Sequence, residues 1–419
     1  MAGHIQDRWY KTEKGPNGKP VRVRTERYGS GLRYRARYIG PDGTEKSKSF
    51  PDKQKRLAEL WLAETAADMS RGTYVDPRAG RTTFKSYTDR WLKGLTTELS
   101  SQIEIERRLR LHALPVIGPR PLDSFRPQHI RELLATLEAS PISASYARNI
   151  YSDVRAVLSA AVDDGLLARN PCAARTVRPP STEPRRVVPW TPERVIAVRQ
   201  GLSRRYRAAS DTGAGCGLRQ GEIFGLGEDA VDYDAEVIHV VRQVRYVRGT
   251  AVFAPPKGNK ERDVPMSRYV AGSLRRHSEE FEPVAVTLPW RTPDGPLVTV
   301  RLLFTNTAGG VVWRSNFNIQ EWKPALAAAG VIPVPEKGQP YASAREHGMH
   351  ALRHFLASVL LAGGANIKAI SEFLGHSDPA LTLRVYAHLM PSSQDQARKV
   401  VDGLFLPAPR TPDGPETAQ

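Results

Sequence analysis

The sequence predicts a multidomain protein that is mainly α-helical and carries small β-sheets. Three observations lead to this fold class. The first fifty residues alternate apolar and charged side chains with a period of two, which is typical of half-buried strands. Residues 82–178 instead repeat apolar side chains every three or four positions, which is typical of amphipathic helices. A chain of 419 residues is also long enough for more than one domain.

The N-terminal segment 1–75 is predicted to form a three-stranded sheet packed on one helix. Two strands are expected from the alternation in residues 21–28 and 32–38, and a third at Lys46–Phe50. Turn-forming Pro-Asn-Gly and Pro-Asp-Gly sequences punctuate these runs. The apolar period then becomes helical, and Gly72 stands where a glycine commonly ends a helix.

One face of this sheet is predicted to carry a row of arginines that binds DNA. Residues 1–56 hold 15 Lys or Arg and 6 Asp or Glu, and so carry about half of the formal net charge of +17. Like charges on one face repel each other unless a polyanion neutralises them, so we favour DNA contact over a merely solvated face. The candidate DNA-binding residues are Arg22, Arg24, Arg33, Arg35 and Arg37.

Residues 80–178 are predicted to form an all-helical domain. We expect Pro115 to stop its second helix and Asn170-Pro171 to stop its fourth, because proline disfavours a continuing helix. The charged, proline-rich stretch 179–189 is predicted to be an interdomain linker. The four helices are expected around Phe84–Leu92, Leu109–Leu114, Ile130–Leu137 and Ser143–Leu167.

Residues 190–406 are predicted to form a larger domain of mixed α+β structure. Runs rich in β-branched residues at Val237–Gly249 and Ala251–Pro255 predict a β-hairpin within it. The polar, proline-rich tail 407–419 is expected to be disordered.

The composition argues against several classes of protein. Cys172 and Cys216 cannot build a disulfide framework and lack metal-ligand spacing, so we predict no metal site and a reducing, intracellular compartment. The N-terminus is polar and charged, unlike a signal peptide. We find no run of about 18 apolar residues and no basic amphipathic anchor, which argues against a membrane partner.

Three separated pieces of the C-terminal region carry side chains suited to phosphate chemistry. Each piece alone is a weak signal, since an arginine after a glycine turn or a tyrosine near a helix is usually structural. Their joint presence, in this order and in a basic chain, is far more specific. The pieces are G-C-G-L-R-Q-G-E at 215–222, H-A-L-R-H at 350–354, and L-G-H-S-D at 374–378 followed by Y-A-H-L at 386–389.

Together these pieces resemble the signature of the tyrosine recombinase (lambda-integrase-like) family. That signature combines an Arg in a G-L-R-x-x-E context, a Lys on a β-hairpin, an H-x-x-R box, a His in an L-G-H context and a Tyr about ten residues later. Lys260 stays open as an alternative for the hairpin lysine. The matching positions are Arg219, Lys257, His350, Arg353, His376 and Tyr386.

The resemblance extends over nearly the whole chain. Residues His112–Phe125 and Asp163–Pro171 resemble the core-binding helical domain of the family. The basic N-terminal sheet resembles the arm-type DNA-binding domain of phage and mobile-element integrases. Residues 190–406 would then be the catalytic domain.

The resemblance implies a metal- and ATP-independent transfer of a DNA strand to Tyr386 through a 3′-phosphotyrosine. Arg219 and Arg353 would hold the non-bridging phosphate oxygens, a role suited to planar and always charged guanidinium groups. Lys257 would protonate the departing 5′ oxygen as general acid.

Histidines and one acid would assist this reaction. His350 would help to take the tyrosine proton or bond the phosphate, and His376 would donate to a non-bridging oxygen. Glu222 would lie on the same helical face as the first arginine and orient a cation or a histidine. The neighbouring residues His354, Ser358, Asp378 and His388 are favoured as structural rather than catalytic.

The implied partner is double-stranded DNA, with attachment sites of core and arm type and no cofactor. A homotetramer on DNA and a four-way (Holliday) junction follow from the strand exchange of the family. Host or element-encoded factors for DNA bending or directionality would be further partners. Delivery of the tyrosine in cis or in trans stays open, and the expected location is the bacterial cytoplasm, in association with the nucleoid.

Three other functions would account for part of the sequence. A DNA-binding regulator without catalysis would explain the charge but not the Arg, His and Tyr set. A type IB topoisomerase shares the chemistry, but predicts relaxation without sequence choice and no separate arm-binding sheet. A chromosome-dimer resolvase of the same family usually lacks an N-terminal domain like residues 1–75, so we favour integration or excision of a phage or mobile element.

Overall fold

The computed structural model confirms a mixed architecture in which helices predominate and the sheets are small. The chain divides into two compact units, residues 1–183 and 184–419. None of the helices in the described part is long and apolar enough to cross a bilayer, and no cluster there could hold a metal ion. The structure describes residues 3–14, 19–41, 43–72, 74, 76, 81–182, 188–375 and 379–386.

The N-terminal region contains a three-stranded antiparallel sheet backed by a helix, as predicted, but one of its strands differs from the prediction. The sheet order is β1-β4-β5, and β2 pairs only with β3 in a separate ribbon. Ala36, Phe50 and Ala58 form the small core between sheet and helix. The elements are β1 (His4–Asp7), β2 (Tyr10–Lys14), β3 (Pro20–Arg24), β4 (Tyr34–Ile39), β5 (Glu45–Phe50) and α1 (Lys55–Ser70).

The expectation that the run 21–28 supplies a strand of this sheet is wrong. Val21 in β3 is exposed, so this strand has no apolar face to give to the core. Ile5 in β1 packs against the core cluster instead, and β1 takes the place beside β4.

The helical region that follows encloses one apolar core, to which Phe84, Leu109, Ile130 and Leu158 contribute fully buried side chains. Thr83 caps the first of its helices by accepting a hydrogen bond from the backbone N–H of Ser86. The helices are α2 (Phe84–Lys93), α3 (Leu99–Arg108), α4 (Leu114–Ile117), α5 (Pro127–Glu138) and α6 (Ala144–Asp163).

Two predicted helix ends are wrong. Pro115 does not stop the second helix: the helical path runs through it from α3 into α4, and a wider π turn replaces the regular hydrogen-bond pattern just before it. One π-helical turn, Leu109–Ala113, joins α3 to α4. The helix α6 ends at Asp163 rather than near Pro171, because Gly165 adopts a φ of 68° and turns the chain away.

The second unit has an apolar core built largely from helices. Two-stranded and three-stranded sheets flank this core. The elements are α7 (Pro192–Gly201), α8 (Arg204–Cys216), α9 (Gln220–Phe224), β6 (Val231–Asp232), β7 (Val237–Val240), β8 (Gln243–Val247), β9 (Thr250–Ala254), β10 (Arg262–Pro265), α10 (Arg268–Glu280), β11 (Val284–Pro289), β12 (Leu297–Leu302), α11 (Arg314–Phe317), α12 (Lys323–Ala328), α13 (His350–Ala362), α14 (Ile367–Leu374) and α15 (Pro379–Tyr386).

The predicted hairpin is present in part. The run Val237–Gly249 divides into β7 and β8, and only β8 pairs with β9. Arg248 and Gly249 both have positive φ and form the two-residue turn, a geometry that matches the twist of the strands. The strand β7 pairs instead with β6 and β10, and so brings Arg262 into the second unit's three-stranded sheet.

Both cysteines are buried and free. Burial raises the pKa of each thiol, that of Cys172 and that of Cys216, to about 12.

Candidate active site

The first motif lies at a sharp connection between two helices. Gly217 ends α8 with a φ of 66°, and a Cβ there would come within 2.9 Å of the side chains of Leu356 and Leu374. The chain then reverses, and Arg219 becomes the residue before α9. Its backbone N–H and its Nη1 each donate to the carboxylate of Glu222 at 2.8 Å, which fixes the arginine at the start of the helix.

Glu222 is the acidic centre of the site and is only 1% exposed. The guanidinium of Arg262, at the start of β10, donates to both of its oxygens, at 3.1 and 2.7 Å. Burial alone would raise the pKa of Glu222, but the hydrogen bonds and charge of Arg262, together with the charge of Arg219, lower it to about 2. The carboxylate is therefore ionised and shared between two arginines.

Arg353 lies in the first turns of α13 and is 1% exposed. Its Nη1 donates to the carbonyl of Gly217 at 2.8 Å, and its Nη2 donates to the carbonyl of Leu374. Arg219 donates to the next carbonyl, that of Gly375, at 3.1 Å. The two guanidinium groups thus meet at the carbonyl end of α14, where the helix dipole favours positive charge.

Burial, reinforced by the nearby charge of Arg219, lowers the pKa of Arg353 to about 9. Its Nε is buried and has no hydrogen-bond partner among the described residues. A buried donor without a partner is costly, which marks this arginine as prepared for an acceptor other than those of the chain.

Tyr386 is the last residue of α15 and is 2% exposed. Its hydroxyl lies 2.6 Å from Nδ1 of His354. Burial raises the pKa of Tyr386 to about 12, and the positive charge of Arg353 opposes that rise. Burial and the same arginine lower the pKa of His354 to about 4.

The structure therefore brings four of the predicted residues into one neighbourhood: Arg219, Glu222, Arg353 and Tyr386. It adds two that the sequence reasoning did not assign, Arg262 and His354. Little in the sequence marks Arg262 as a site residue, because it lies in a run of charged residues that is typical of an exposed turn. His354 gave the signal of adjacency to Arg353, but its contact with a residue 32 positions away depends on the fold.

The other predicted catalytic residues of the second unit are exposed where the structure describes them. Lys257 begins a single 3-10 turn between β9 and β10, and both it and Lys260 are exposed. His350 is exposed at the start of α13, and its ring meets that of His354 edge-on with centroids 4.6 Å apart. His376 lies outside the described residues.

The N-terminal arginines do not form one row. Arg22 and Arg24 lie on the ribbon strand β3 and stack over Tyr10 and Tyr28, with guanidinium carbons 4.0 and 4.1 Å from the ring centroids. The other three lie at alternate positions on or just before β4, on the face opposite the core: Arg33, Arg35 and Arg37.

The β4 arginines also differ in their partners. Arg33 is held by two acids, with Nη2 at 2.9 Å from Asp7 and Nη1 at 2.8 Å from Asp52. Arg35 donates to the hydroxyl of Ser47 at 2.9 Å. These contacts make Arg33 a structural cation as well as a candidate for DNA contact.

Comparison with known proteins places this arrangement in a family. Residues 193–392 match the model of the phage integrase family, a span that contains every candidate catalytic residue. The chain belongs to the tyrosine recombinase family. It is a site-specific DNA recombinase of the integrase type.

Several relatives resemble this recombinase over much of its length. A putative prophage phiRv2 integrase from Mycobacterium tuberculosis is 24% identical over 90% of the chain and 94% of its own length. The integrase of Mycobacterium phage L5 is 28% identical over 86% of the chain and 92% of its own length. A XerC-like tyrosine recombinase from Caldanaerobacter subterraneus is 28% identical over 59% of the chain, and the chain spans only 63% of that protein.

Solved structures show the same fold. A Tn1549 transposon integrase in complex with transposon right end DNA matches with a TM-score of 0.61 at 21% identity, over 77% of the recombinase and 99% of that chain. A lambda integrase tetramer bound to a Holliday junction matches with a TM-score of 0.52 at 16% identity, over 82% of the recombinase and 93% of that chain.

Proposed function

We propose that this recombinase integrates or excises a phage or mobile element by joining DNA strands transiently, through a 3′-phosphate, to Tyr386. The supporting observation is the convergence of Arg219 and Arg353 on adjacent carbonyls of α14, with Tyr386 close enough to Arg353 for each to influence the pKa of the other. Phage and prophage integrases align with most of the chain, which supports an element of this kind.

The two arginines supply the electrostatic part of the reaction. A phosphodiester repels nucleophiles because it is anionic, and two guanidinium groups compensate that charge. Both arginines now donate to backbone carbonyls, so a phosphate oxygen would replace a neutral acceptor with a charged one and strengthen the bonds. Loss of one such donor costs about 10²–10³ in rate. Glu222 holds Arg219 in the required orientation.

The proton transfers are assigned to the remaining family positions. As the phenol oxygen of Tyr386 bonds to phosphorus, the bond to the 5′ oxygen breaks, and Lys257 gives that oxygen a proton. Lys260 is the alternative donor from the same turn. His376 donates to a non-bridging oxygen, and His350 bonds the phosphate or helps to take the tyrosine proton. Rejoining is the reverse reaction with a 5′ hydroxyl of another strand.

The domain roles follow the same proposal. Residues 1–75 bind arm-type sites, residues 80–178 bind the core site, residues 179–189 link them to the catalytic domain, and 190–406 carry the chemistry. The candidate arm-binding side chains are Arg22, Arg24, Arg33, Arg35 and Arg37. The active assembly is a homotetramer on DNA in the bacterial cytoplasm, in association with the nucleoid and with accessory DNA-bending or directionality factors.

The test is covalent capture on a nicked attachment-site duplex, which traps the cleaved strand. We expect Tyr386→Phe to bind the duplex as the unaltered protein does and to form no covalent adduct, because it lacks the nucleophilic oxygen. Tyr341→Phe is a matched control that should retain the adduct. An adduct formed by Tyr386→Phe would place the nucleophile elsewhere, and relaxation of plasmids that lack an attachment site would favour a topoisomerase.

A further inference from the structure

The hydroxyl of Tyr386 has a specific partner in the folded chain. Its oxygen lies 2.6 Å from Nδ1 of His354, and the ring centroids are 5.6 Å apart. The tyrosine is at the end of α15 and the histidine in α13, and α14 packs against both helices, so the contact depends on the fold rather than on sequence proximity. Family resemblance alone gave His354 no catalytic role.

The direction of this hydrogen bond follows from the protonation of the two groups. Burial raises the pKa of Tyr386 to about 12, so the phenol keeps its proton near neutral pH. Burial and the charge of Arg353 lower the pKa of His354 to about 4, so its imidazole is neutral there. Since one nitrogen of a neutral imidazole accepts, the tyrosine O–H donates to Nδ1 and the ring proton is on Nε2.

We propose that His354 is the general base of strand cleavage, which removes the proton of Tyr386 as the phenol oxygen attacks phosphorus. The inference rests on the proposed role of Tyr386 as nucleophile. The O–H bond of the phenol breaks, its proton passes to Nδ1, the O–P bond forms, and the 5′ oxygen leaves with a proton from the general acid. In rejoining, the imidazolium returns its proton to the phenol.

His354 fits the role of general base better than His350 does. The family resemblance gave His350 two alternative roles, of which taking the tyrosine proton was one. The ring that meets the hydroxyl is that of His354, whereas His350 packs its edge on that ring from the exposed start of α13. This leaves His350 with its other expected role, a bond to the phosphate.

Binding of DNA favours the transfer. A phosphate held by Arg219 and Arg353 cancels positive charge near His354, and a nearby anion raises the pKa of an imidazole.

In the part of the chain that the structure describes, the neighbouring elements add no other charged group next to His354. On α14 the side chains of Lys368 and Glu372 are exposed, and on α8 the buried Asp211 is paired with Arg199. The groups that face His354 within the described residues are Tyr386, Arg353 and His350.

The decisive variant is His354→Asn, measured by single-turnover cleavage of the nicked duplex. An asparagine oxygen can accept the hydrogen bond in place of Nδ1 but cannot take the proton. We expect cleavage to slow about 10²–10⁴-fold, the usual contribution of a general base. Ser358→Ala, one turn further along α13, is the matched control and should cleave as the unaltered protein does.

The pH dependence separates a base from a structural residue. The neutral imidazole is the active form, so cleavage by the unaltered protein should rise with pH through the pKa of His354 in the complex. His354→Asn should lose that limb of the profile. If this variant fails to bind the duplex, the pH–rate profiles of the unaltered protein and of His354→Gln provide the test. A cleavage rate of the unaltered protein that does not fall at acid pH would contradict the proposal.

A substrate with sulfur in place of the bridging 5′ oxygen distinguishes the general acid at the leaving group from the general base at the nucleophile. A thiolate leaves without a proton, so this substrate should restore cleavage to Lys257→Ala and leave His354→Asn slow. Restoration of His354→Asn, or cleavage by it at the unaltered rate, would overturn the inference. Faster cleavage by that variant would show that His354 merely restrains the tyrosine. A covalent adduct on Tyr386→Phe would instead overturn the proposed function itself.

Discussion

Glu222 concentrates the electrostatics of the site, because its two oxygens meet two arginines where almost no water reaches them. A buried ion pair is strongly destabilised when one partner is removed, since the other charge is left unpaired. Glu222 therefore affects both the fold of the second unit and the position of Arg219.

At this scale we predict that Glu222→Gln lowers the free energy of unfolding by about 3–5 kcal/mol, the usual cost of breaking a buried ion pair. The pKa of Glu222 is lowered from its ordinary value of 4.5 to about 2. Its contribution to stability is thus complete above pH 4.5 and lost as the pH falls toward 2.

Denaturant unfolding followed between pH 2 and 6 checks this prediction. The unaltered protein should lose stability over the acid half of that range, and Glu222→Gln should lose less there. Glu282→Gln, at a side chain that is 86% exposed, is the control and should match the unaltered protein. Equal acid sensitivity of the Glu222 variant and the unaltered protein would contradict the assignment.

Sequence reasoning found the contacts that local spacing determines. Arg219 and Glu222 are three residues apart at the start of a helix, so their pairing is readable from the chain. Arg262 and His354 were missed because their partners, Glu222 and Tyr386, are 40 and 32 residues away in the sequence. Only the packing of β10 and α15 makes those pairs.

At the scale of elements, the carbonyl end of α14 organises the site. Leu374 and Gly375 offer consecutive carbonyls to Arg353 and Arg219, and Gly375 ends the helix with a φ of 59°. A Cβ on Gly375 would come within 3.0 Å of Cδ of Arg262. Glycine is therefore required here both for its backbone conformation and for the space beside the arginine.

We predict that Gly375→Ala impairs cleavage as well as stability. A left-handed alanine costs about 1–2 kcal/mol, and the crowding displaces Arg262 and so disturbs Glu222 and Arg219. Gly330 has a φ of 67° with nothing within 4 Å of an added Cβ, so Gly330→Ala bears the backbone strain alone.

Thermal unfolding and covalent capture, measured side by side on both variants, separate the two effects. We expect similar losses of stability from the strain, and a cleavage rate about 10²-fold lower for Gly375→Ala only, because small misplacements of a catalytic group are that costly. Equal cleavage rates of the two variants would mean that Arg262 does not help to position Arg219.

The predictability of whole elements was limited by tertiary context. The alternation in 21–28 is real, but a strand joins a sheet only if it has an apolar face for the core, and Ile5 of β1 provided that instead. Pro115 was expected to end a helix, but in the structure the helical path continues through it into α4 after a π turn. Patterns that bury a continuous stripe, such as the one beginning at Phe84, were predicted correctly.

At the scale of the whole molecule, the uneven charge is the dominant feature. About half of the net charge of +17 lies in residues 1–56, while the residues proposed for catalysis all lie beyond Gly217. Binding to DNA and chemistry on DNA are thus assigned to different parts of the chain.

We predict that deletion of residues 1–75 leaves binding to the core site and abolishes integration. Each phosphate contact contributes a slope of about −0.9 to the dependence of log affinity on log salt, so arm-site binding by the unaltered protein should weaken steeply as salt rises, and the variant should lose arm-site binding altogether. Integration assays and binding titrations across salt concentrations check this. Deletion of residues 407–419 is the control and should leave integration intact. Full integration by the protein that lacks residues 1–75 would refute the arm-binding role.

The two buried thiols have a practical consequence for studies of the assembled complex. A thiol with a pKa near 12 has almost no thiolate at neutral pH, and burial also denies access to reagents, so Cys172 and Cys216 should react very slowly with maleimides. Fluorescent dyes can then be attached to single cysteines introduced on the surface while both native residues are kept. Distances between the subunits of the proposed tetramer would then be measurable by energy transfer in the otherwise unaltered chain.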